Sequence, residues 1–401
     1  MSRFRPRRGS TSWAVGPKEA PPGRGRLRRS DIPRGARGDG PTHRLSDGDA
    51  LAMYRECSLV ELGRLAHAAC MKRHPEPYRT YVVDRNINYS NLCTAHCTFC
   101  RFKAGVSSES AYILSRDELL RKIDDLVAAG GYQVLLQGGL VPPDLLDFEW
   151  YCDLLRFIKR NYPTIHLHAF SPPEIFAFSR AFGLSIREVL TRLRQAGLDT
   201  IPGGGAEILV DRVRDRIGVG KVRSEEYLEV MRQAHRIGMR TTATMMFGHI
   251  ETVAERIEHL RRIRDLQDET GGFTAFIPWT FQPGGTALGR TPPLPAVPGV
   301  EPDGSHLVLA GSHEYLKTLA LARLFLDNIP HLQASWVTQG PQVGQLALFF
   351  GANDMGSVMM EENVVSATGT TFRLTEADIR RLISDAGWKP CRRNCYYDIL
   401  E

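Results

Sequence analysis

Three cysteines lie close together in the segment NINYSNLCTAHCTFCRF, which covers residues 86–102. Cys93, Cys97 and Cys100 are four and three residues apart, and the aromatic Phe99 directly precedes the last of them. Thiolates are soft ligands that suit iron–sulfur clusters, and three of them on a four-iron cluster leave one iron open. The spacing therefore predicts a cluster whose open iron can bind a small molecule.

A structural zinc site is the main alternative for these cysteines, but the rest of the sequence does not complete one. Such a site needs four ligands, usually supplied as two separated pairs. Cys391 and Cys395 form one further pair in the tail segment CRRNC, and His166 and His168 alternate along another segment. We interpret the tail pair as an incomplete metal site and the histidines as core or substrate contacts.

The positive charge of the chain is concentrated near its N-terminus. The whole chain carries a formal net charge of +6, whereas residues 1–44 carry +9 from eleven Arg, one Lys and three acidic residues, which leaves −3 for the remainder. This leader is rich in Gly and Pro and has little apolar surface, so we predict that it is disordered. Arg-rich runs can attract nucleic acid, but we do not expect a nucleic-acid partner.

Composition restricts the class of protein further. No apolar run approaches the roughly 18–20 residues that a membrane-spanning helix requires, so we expect no membrane partner. The chain has eight cysteines and no secretory-type apolar segment at its start. These features favour a reducing compartment, and we predict a cytoplasmic protein.

The elements that must position the cysteines alternate between strand and helix. Two helices come first, in LSDGDALAMYREC and SLVELGRLAHAACMKRHP, with Ser46 and Ser58 as N-caps. A later helix begins at Ser115 with a capping box. Seven clear strand patterns and a weaker eighth follow the first two helices: TYVVDRNINY, YQVLLQGG, IHLHAFSPP, LDTIPGGG, MRTTATMMFG, FTAFIPWTF, LQASWVTQG and DMGSVM. Strict alternation of this kind means parallel strands joined by right-handed crossovers.

Eight such units in about 320 residues predict an α/β fold, a (β/α)8 barrel of the TIM type that is closed or partly open. We expect a leader over residues 1–44 and a barrel domain over 45–401. The domain is divided into N-terminal helices, the barrel, and a C-terminal helix and tail, at 45–76, about 80–370, and 371–401. Function in this fold lies at the C-terminal strand ends, and the cysteines directly follow the first of them.

The cysteine motif and several longer segments resemble a known family. Cys93-x3-Cys97-x2-Cys100 looks like the signature of the radical S-adenosylmethionine (SAM) superfamily. The chain from about Leu45 to Leu400 is similar to the cyclic dehypoxanthinyl futalosine synthases, in segments that include DRNINYSN, HAFSPPEI, TTATMMFGHIET, FIPWTFQPGGT and GANDMGSVMMEENVV. The resemblance implies a barrel of the radical SAM kind, one [4Fe-4S] cluster and S-adenosyl-L-methionine.

The resemblance also implies a reaction on the futalosine route to menaquinone. In it, a SAM-derived radical removes hydrogen from the sugar of dehypoxanthine futalosine, and the new carbon radical adds to the benzoate ring. An electron donor such as flavodoxin or ferredoxin is implied as a partner. Related aminofutalosine synthases and deazaflavin-cofactor synthases remain alternatives, and a nucleic-acid-binding protein that uses the leader is an alternative of a different class.

The resemblance assigns several residues to SAM. Phe99 is expected against the adenine. The segment QGG stands where the family has a glycine-rich contact to the SAM amino group, although the usual Gly-Gly-Glu is replaced here and Leu140 follows. A guanidinium can pair with the SAM carboxylate as a bidentate fork. The expected SAM contacts are therefore Phe99, Gln137, Gly138, Gly139 and Arg214.

Polar residues near the strand ends are candidates for contacts with a substrate that carries a benzoate and sugar hydroxyl groups. These candidates are His168, Ser171, Thr244, Gln282, Thr338, Gln339 and Asn353. Trp279 and Trp336 are expected to exclude water from the cavity, with ordinary barrel packing as the alternative. A base must accept the final proton, and helix capping is the alternative role for the first two of its candidates. Those candidates are Glu174, Glu207, Asp354 and Glu361.

Overall fold

The computed structural model describes residues 44–295 and 303–400 of the chain. The leader predicted over residues 1–44, and with it the nucleic-acid alternative, lies outside these ranges except for Arg44. The division of the chain into leader and barrel domain therefore stays a prediction. None of the helices in the two described ranges has both the length and the apolar composition needed to cross a membrane.

Two helices precede the barrel, as the sequence predicts. Helix α1 spans Asp47–Glu56 and helix α2 spans Leu59–Arg73. Ser46 and Ser58 cap them, each accepting a bond from the backbone N–H three residues on, while the acidic side chain there bonds back to the serine N–H. These reciprocal bonds satisfy helix N–H groups that otherwise have no partner. Both predicted N-caps are confirmed.

Strands and helices alternate along most of the remaining chain. The strands are β1 Tyr78–Val82, β2 Asp84–Asn88, β3 His96–Cys97, β4 Gln133–Gln137, β5 His166–Ala169, β6 Thr200–Ile201, β7 Gly218–Val219, β8 Arg240–Phe247, β9 Phe273–Thr280, β10 His331–Leu332, β11 Asp354–Ser357 and β12 Lys389–Arg392. The helices are α3 Arg116–Ala128, α4 Phe148–Asn161, α5 Pro172–Phe182, α6 Ile186–Ala196, α7 Asp211–Ile217, α8 Ser224–Arg236, α9 Val253–Thr270, α10 Ser312–Phe325, α11 Trp336–Gln339, α12 Pro341–Ala347 and α13 Glu376–Asp385. Ser115 caps α3 with its predicted capping box.

Backbone hydrogen bonds between neighbouring parallel strands continue around the barrel. Seven strands form one sheet in the order β10-β9-β8-β6-β5-β4-β2. The weakly predicted eighth strand, β11, pairs in parallel with β1 and also joins the end of β10, where Ala334 donates to the carbonyl of Asp354 at 2.8 Å. Because Val83 alone separates β1 from β2, this pairing closes the ring. The predicted α/β barrel is confirmed.

Several predicted elements differ from the observed ones. TYVVDRNINY forms two strands, and β1 belongs to a separate sheet with β11 and β12. LQASWVTQG forms only the short strand β10 before turning into α11, because the buried Trp336 donates its indole N–H to the carbonyl of Ser357 at 3.1 Å. Helices α5 and α7 were not predicted. The first begins with two prolines, which suit the first turn of a helix and had been assigned to a strand end.

The C-terminal tail fills the end of the barrel at which the strands begin. β12 pairs with β1, and the chain then enters the barrel, where Arg393 forms two bonds to Asp354 at 2.7 and 3.0 Å. The ring of Tyr397 stacks on His331 with centroids 3.7 Å apart. We call residues 391–397 the floor. Since the floor closes this end, a ligand has to enter from the other one, which we call the mouth.

Candidate active site

The three cysteines lie in a loop that leads from β2 across the mouth. This loop is held in place by β3, which pairs in antiparallel fashion with β7, so that Cys97 lies opposite Gly218. Thr98 adds a bond from its N–H to the carbonyl of Ile217 at 2.8 Å. All three cysteines are free thiols, with Cys97 buried and the other two half-buried.

The surroundings of the loop fit a cluster held by thiolates. The backbone N–H of Leu140 donates to the sulfur of Cys93 at 3.3 Å. A Cβ on Gly139 would lie 1.9 Å from the carbonyl oxygen of Leu92, so only glycine lets the loop lie on this turn. Burial raises the pKa of the Cys97 thiol to about 11, and the ammonium of Lys221 acts against that rise.

The donor set distinguishes between a single metal ion and a cluster. Among the described residues, no group of three or more His, Cys, Asp or Glu side chains converges on one ion position. Thiolates of a four-iron cluster bind different irons, so they need not converge on one point. The three free thiols in one loop fit a [4Fe-4S] cluster with one iron left open.

A buried cation faces this loop, and the sequence did not reveal it. Lys221 lies 2.9 Å from Oε1 of Glu207, and its Nζ is 5.2 Å from the centroid of the Phe99 ring. Burial lowers the pKa of Lys221, but Glu207 and Cys97 outweigh that and raise the pKa above its ordinary value. Glu207 itself has a φ of 39°, a strained conformation of the kind that clusters at functional sites.

Arg214, the expected partner of the SAM carboxylate, points elsewhere. Its guanidinium donates to the carbonyls of Val222, Ala206 and Gly205 at 2.5–3.1 Å, and the side chain is buried. These bonds hold together the loop that carries Glu207, from which Arg214 is 3.7 Å away. The expected role of Arg214 is therefore corrected, because its donors are already engaged.

The segment Gln137–Gly138–Gly139 forms the expected turn beneath the cysteine loop. The N–H of Gly138 donates to Glu174 and that of Gly139 to the carbonyl of Ser90, both at 3.1 Å. With its N–H groups engaged, the turn can offer carbonyl oxygens, which are the acceptors that an ammonium group needs. The side chain of Gln137 lines the barrel cavity.

Glu174 caps a helix and is not positioned as a base. Its carboxylate accepts bonds from the N–H and hydroxyl of Ser171 at 2.7 and 2.6 Å, from the hydroxyl of Tyr89 at 2.7 Å and from the N–H of Gly138. Burial raises its pKa, and these donors act in the opposite direction. Both oxygens are occupied, so Glu174 and Ser171 together fix the start of α5 and the glycine turn.

Three further candidates also have structural partners away from the mouth. Asp354 is fully buried and bound to Arg393 in the floor. Glu361 accepts bonds from Lys122 and Arg85 at 2.7–2.8 Å. Asn353 binds Arg323, the N–H of Leu332 and the ring of His331. None of the three is among the residues that line the barrel cavity, and their expected roles stay predictions.

The remaining candidates surround a cavity of about 290 Å³ that lies between mouth and floor. The predicted residues that line it are Gln137, His168, Glu207, Thr244, Trp279, Trp336 and Thr338. Gln282 and Gln339 lie beside it, where each donates to the hydroxyl of Thr280. Burial lowers the pKa of His168 to about 3, so its ring is neutral. Among the four carboxylates first proposed as the base, Glu207 is thus the one that reaches the cavity.

The cavity wall also contains residues that the sequence did not single out. Asp84 and Asn86 of β2 and Gln133 of β4 line it, as does Met359 after β11. Glu362, which the sequence does make a candidate for the substrate hydroxyls or the final proton because it lies near the last strand, also lines it. Glu362 accepts bonds from three successive backbone N–H groups at 2.7–2.9 Å, which fixes the segment over the mouth. The alternation of polar residues in DRNIN was the available signal, because alternate residues of a strand share one face.

Two family models match the chain. They are that of the radical SAM superfamily, over residues 87–263, and that described as the CofH/MqnC C-terminal region, over residues 270–401. The cyclic dehypoxanthine futalosine synthase of Halalkalibacterium halodurans is 43% identical over 357 residues, covering 89% of this chain and 92% of that protein. The aminodeoxyfutalosine synthase of Thermus thermophilus is 39% identical, covering 88% and 92%. The structure of methylornithine synthase (PylB) covers 88% of this chain and 95% of its own with a TM-score of 0.66 and 20% identity, and it shows the fold alone.

Proposed function

The chain belongs to the radical SAM superfamily and, within it, to the family of the cyclic dehypoxanthine futalosine synthases, and we propose that it cyclises dehypoxanthine futalosine in menaquinone biosynthesis. The observation that carries this proposal is the loop of three free cysteines, held at the mouth of a barrel that is closed at its other end. A substrate in the cavity then lies beside the cluster loop and away from water. Such enclosure protects reactive intermediates from side reactions.

Different residues at the mouth would hold the cluster and SAM. Cys93, Cys97 and Cys100 would bind the [4Fe-4S] cluster. When bound, the cluster and SAM supply a carbon radical that can remove hydrogen from an unactivated C–H bond. Lys221 is the cation that faces this site and suits the SAM carboxylate, while the ring of Phe99 beside it suits the adenine.

The remaining steps depend on side chains of the cavity. The sugar must lie next to the aromatic ring so that the new carbon–carbon bond can form, and the narrow cavity enforces that arrangement. The cyclised radical must then lose one electron, which the bound cluster would accept, and one proton, for which Glu207 is the candidate acceptor because it lines the cavity. Two of the cysteines are half-buried, so an electron-donor protein such as flavodoxin or ferredoxin can approach the mouth. We place the enzyme in the cytoplasm, where such donors occur.

One anaerobic assay tests the proposal. Protein reconstituted with iron and sulfide is reduced and given SAM with dehypoxanthine futalosine, and mass spectrometry follows 5′-deoxyadenosine and a product two hydrogens lighter than the substrate. We expect both, with the second dependent on the first. 5′-Deoxyadenosine without that product would retain the radical chemistry and indicate a sister activity, such as that of the aminodeoxyfutalosine synthases. Neither compound from fully reconstituted protein would contradict the proposal.

A further inference from the structure

The inner face of β2 is polar, in contrast to an ordinary barrel interior. Asp84 and Asn86 line the cavity, while Arg85 between them points outwards to Asp125 and Glu361. Buried amides and carboxylates cost stability unless they find hydrogen-bond partners. The polar side chains of this inner face therefore need hydrogen-bond partners, and the described residues supply only some of them.

Asp84 fixes the orientation of a neighbouring amide. Its carboxylate accepts a bond from the hydroxyl of Ser357 and one from Nε2 of Gln133 at 3.0 Å. A carboxylate only accepts, so it holds the nitrogen of the Gln133 amide towards itself and leaves the oxygen on the other side. That oxygen is buried and has no hydrogen-bond partner within the described part of the chain.

Asn86 lies two residues beyond Asp84 on β2, nearer the mouth, and its side chain has fewer hydrogen-bond partners than that of Gln133. Its Oδ1 is buried without a partner, and none of the described residues forms a hydrogen bond with its side chain. The strand register places Asn86 beside Leu135, which in turn lies beside His168. Asn86 and Gln133 therefore present two unsatisfied amide oxygens on adjacent strands, whose mouth ends lead to the cysteine loop and the glycine turn.

The wall of the cavity opposite β4 carries large apolar side chains. Ile277 and Trp279 come from β9, and Trp336 and Val337 come from α11. The indole of Trp279 is half-buried, which leaves part of its surface available to a ligand. One wall thus suits polar groups and the other suits a flat ring.

The polar wall selects what it can bind. Buried oxygen acceptors without donors require a ligand that brings donors, and a sugar hydroxyl supplies one. A carboxylate is acceptor-only, and it would also be repelled by the anionic Asp84. We therefore propose that Asn86 and Gln133 form the binding site for the sugar hydroxyl groups of the substrate, with its aromatic ring against the opposite wall. This inference rests on the proposed function.

The test compares the substrate with an analogue that lacks one sugar hydroxyl. Calorimetry on reconstituted enzyme with SAM but without reductant measures binding while no turnover occurs. We expect wild-type enzyme to bind the deoxy analogue for the contacted hydroxyl about tenfold more weakly than the substrate, as a hydrogen bond of ordinary strength predicts. Asn86→Leu removes the amide and should bind the substrate and that analogue equally. Gln133→Met is the second variant, with the same expectation for its own hydroxyl.

Controls separate this inference from the proposed function. Leu135→Met changes the wall between the two amides without altering hydrogen bonds, and it should discriminate between substrate and analogue as wild type does. Asn86→Leu should also melt at an equal or higher temperature, because it removes an unsatisfied buried amide. If wild type binds the substrate and both variants still discriminate as wild type does, the hydroxyl site is refuted and the cyclase function stands. If wild type neither binds nor converts the substrate, both fail.

Discussion

The barrel carries cysteines and cationic side chains at both of its ends, and the two ends differ in what the protein itself satisfies. In the floor, Arg393 is held by both oxygens of Asp354, and the thiol of Cys395 lies 3.7 Å from the hydroxyl of Thr200. At the mouth, Cys93 and Cys100 are half-buried free thiols beside a glycine turn. Similar residue types thus build a closed packing layer at one end and an open ligand set at the other.

The comparison teaches that residue type and spacing indicate chemistry only where the fold leaves groups without internal partners. The floor pair Cys391 and Cys395 had been interpreted as an incomplete metal site, and in the structure both thiols are buried. Burial raises the pKa of Cys395 to about 12, and its thiol lies against the hydroxyl of Thr200 within the packed floor. The three cysteines at the mouth lie where a cluster can be inserted, whereas Cys391 and Cys395 lie in the closed floor.

The largest expected effect follows from removing the thiols at the mouth. The variant C93A/C97A/C100A should lose all iron–sulfur absorbance and all formation of 5′-deoxyadenosine, because it removes every cysteine of residues 86–102 and the single His96 cannot replace three thiolates. Cys57→Ala serves as the control, because it removes a buried thiol at the C-terminal end of α1. It should retain both the iron–sulfur absorbance and the formation of 5′-deoxyadenosine. Turnover by the triple variant would refute the assignment of the cluster site.

Breaking the ion pair in the floor should reduce stability and leave the cluster intact. Arg393→Met leaves Asp354 as an uncompensated buried charge, which typically costs about 3–5 kcal/mol in the free energy of unfolding. Urea denaturation measures the loss, and the absorbance of the reconstituted cluster reports on the mouth. Arg381→Met removes an exposed arginine with partners on its own helix, and it should leave stability unchanged. A normal denaturation midpoint for Arg393→Met would mean that the floor is not a structural layer.

At the mouth, removal of the corresponding cation, Lys221, should weaken ligand binding, and it should also reduce stability because Lys221 is ion-paired with the buried Glu207. Lys221→Met should weaken the binding of SAM by about 2 kcal/mol, or roughly thirtyfold, since it removes the charge that faces the cysteine loop. Equilibrium dialysis with labelled SAM measures the constant on reconstituted protein, and Lys221→Arg should restore most of the affinity. Lys72→Met, at an exposed position on α2, is the matched control. If Lys221→Met binds SAM as tightly as wild type does, a group other than Lys221 binds the SAM carboxylate.

Lys221 also shows where sequence reasoning reached its limit. The helix caps at Ser46, Ser58 and Ser115 are local, because a serine and an acidic residue three positions on form the whole motif. Whether Arg214 or Lys221 faces the cysteines depends on the pairing of β3 with β7, two segments far apart in the chain. No local pattern contains that information.

The base candidates and the cavity wall illustrate the same limit. Glu174 and Glu361 follow strand ends as an active-site carboxylate would, whereas Asp354 begins β11, and all three are bound by partners from elsewhere in the chain. Conversely, the alternation of Asp84 and Asn86 was visible in the sequence. Its meaning depended on which side of β2 faces the barrel, and this is set by closure of the ring.

The smallest expected effect is the pH dependence of stability that comes from the two histidines of β5, which lie next to the floor. His166 and His168 share the hydroxyl of Thr200, each with a ring nitrogen 2.7 Å from it. Burial lowers the pKa of His166 to about 4 and that of His168 to about 3, so both rings stay neutral in the folded protein down to low pH. In the unfolded chain they take up protons near pH 6.5.

The sign of the effect follows from this difference. Below about pH 6.5 the unfolded state binds more protons than the folded state, so stability falls as pH falls, by up to about 1.4 kcal/mol per pH unit for each histidine. Urea denaturation at pH 7, 6 and 5 should show this slope in wild type and a smaller slope in His168→Leu. The exposed His313→Leu should retain the wild-type slope. Equal slopes in all three proteins would mean that His168 takes up protons equally in the folded and the unfolded state. The end of the barrel next to the floor would then be as open to water as the mouth.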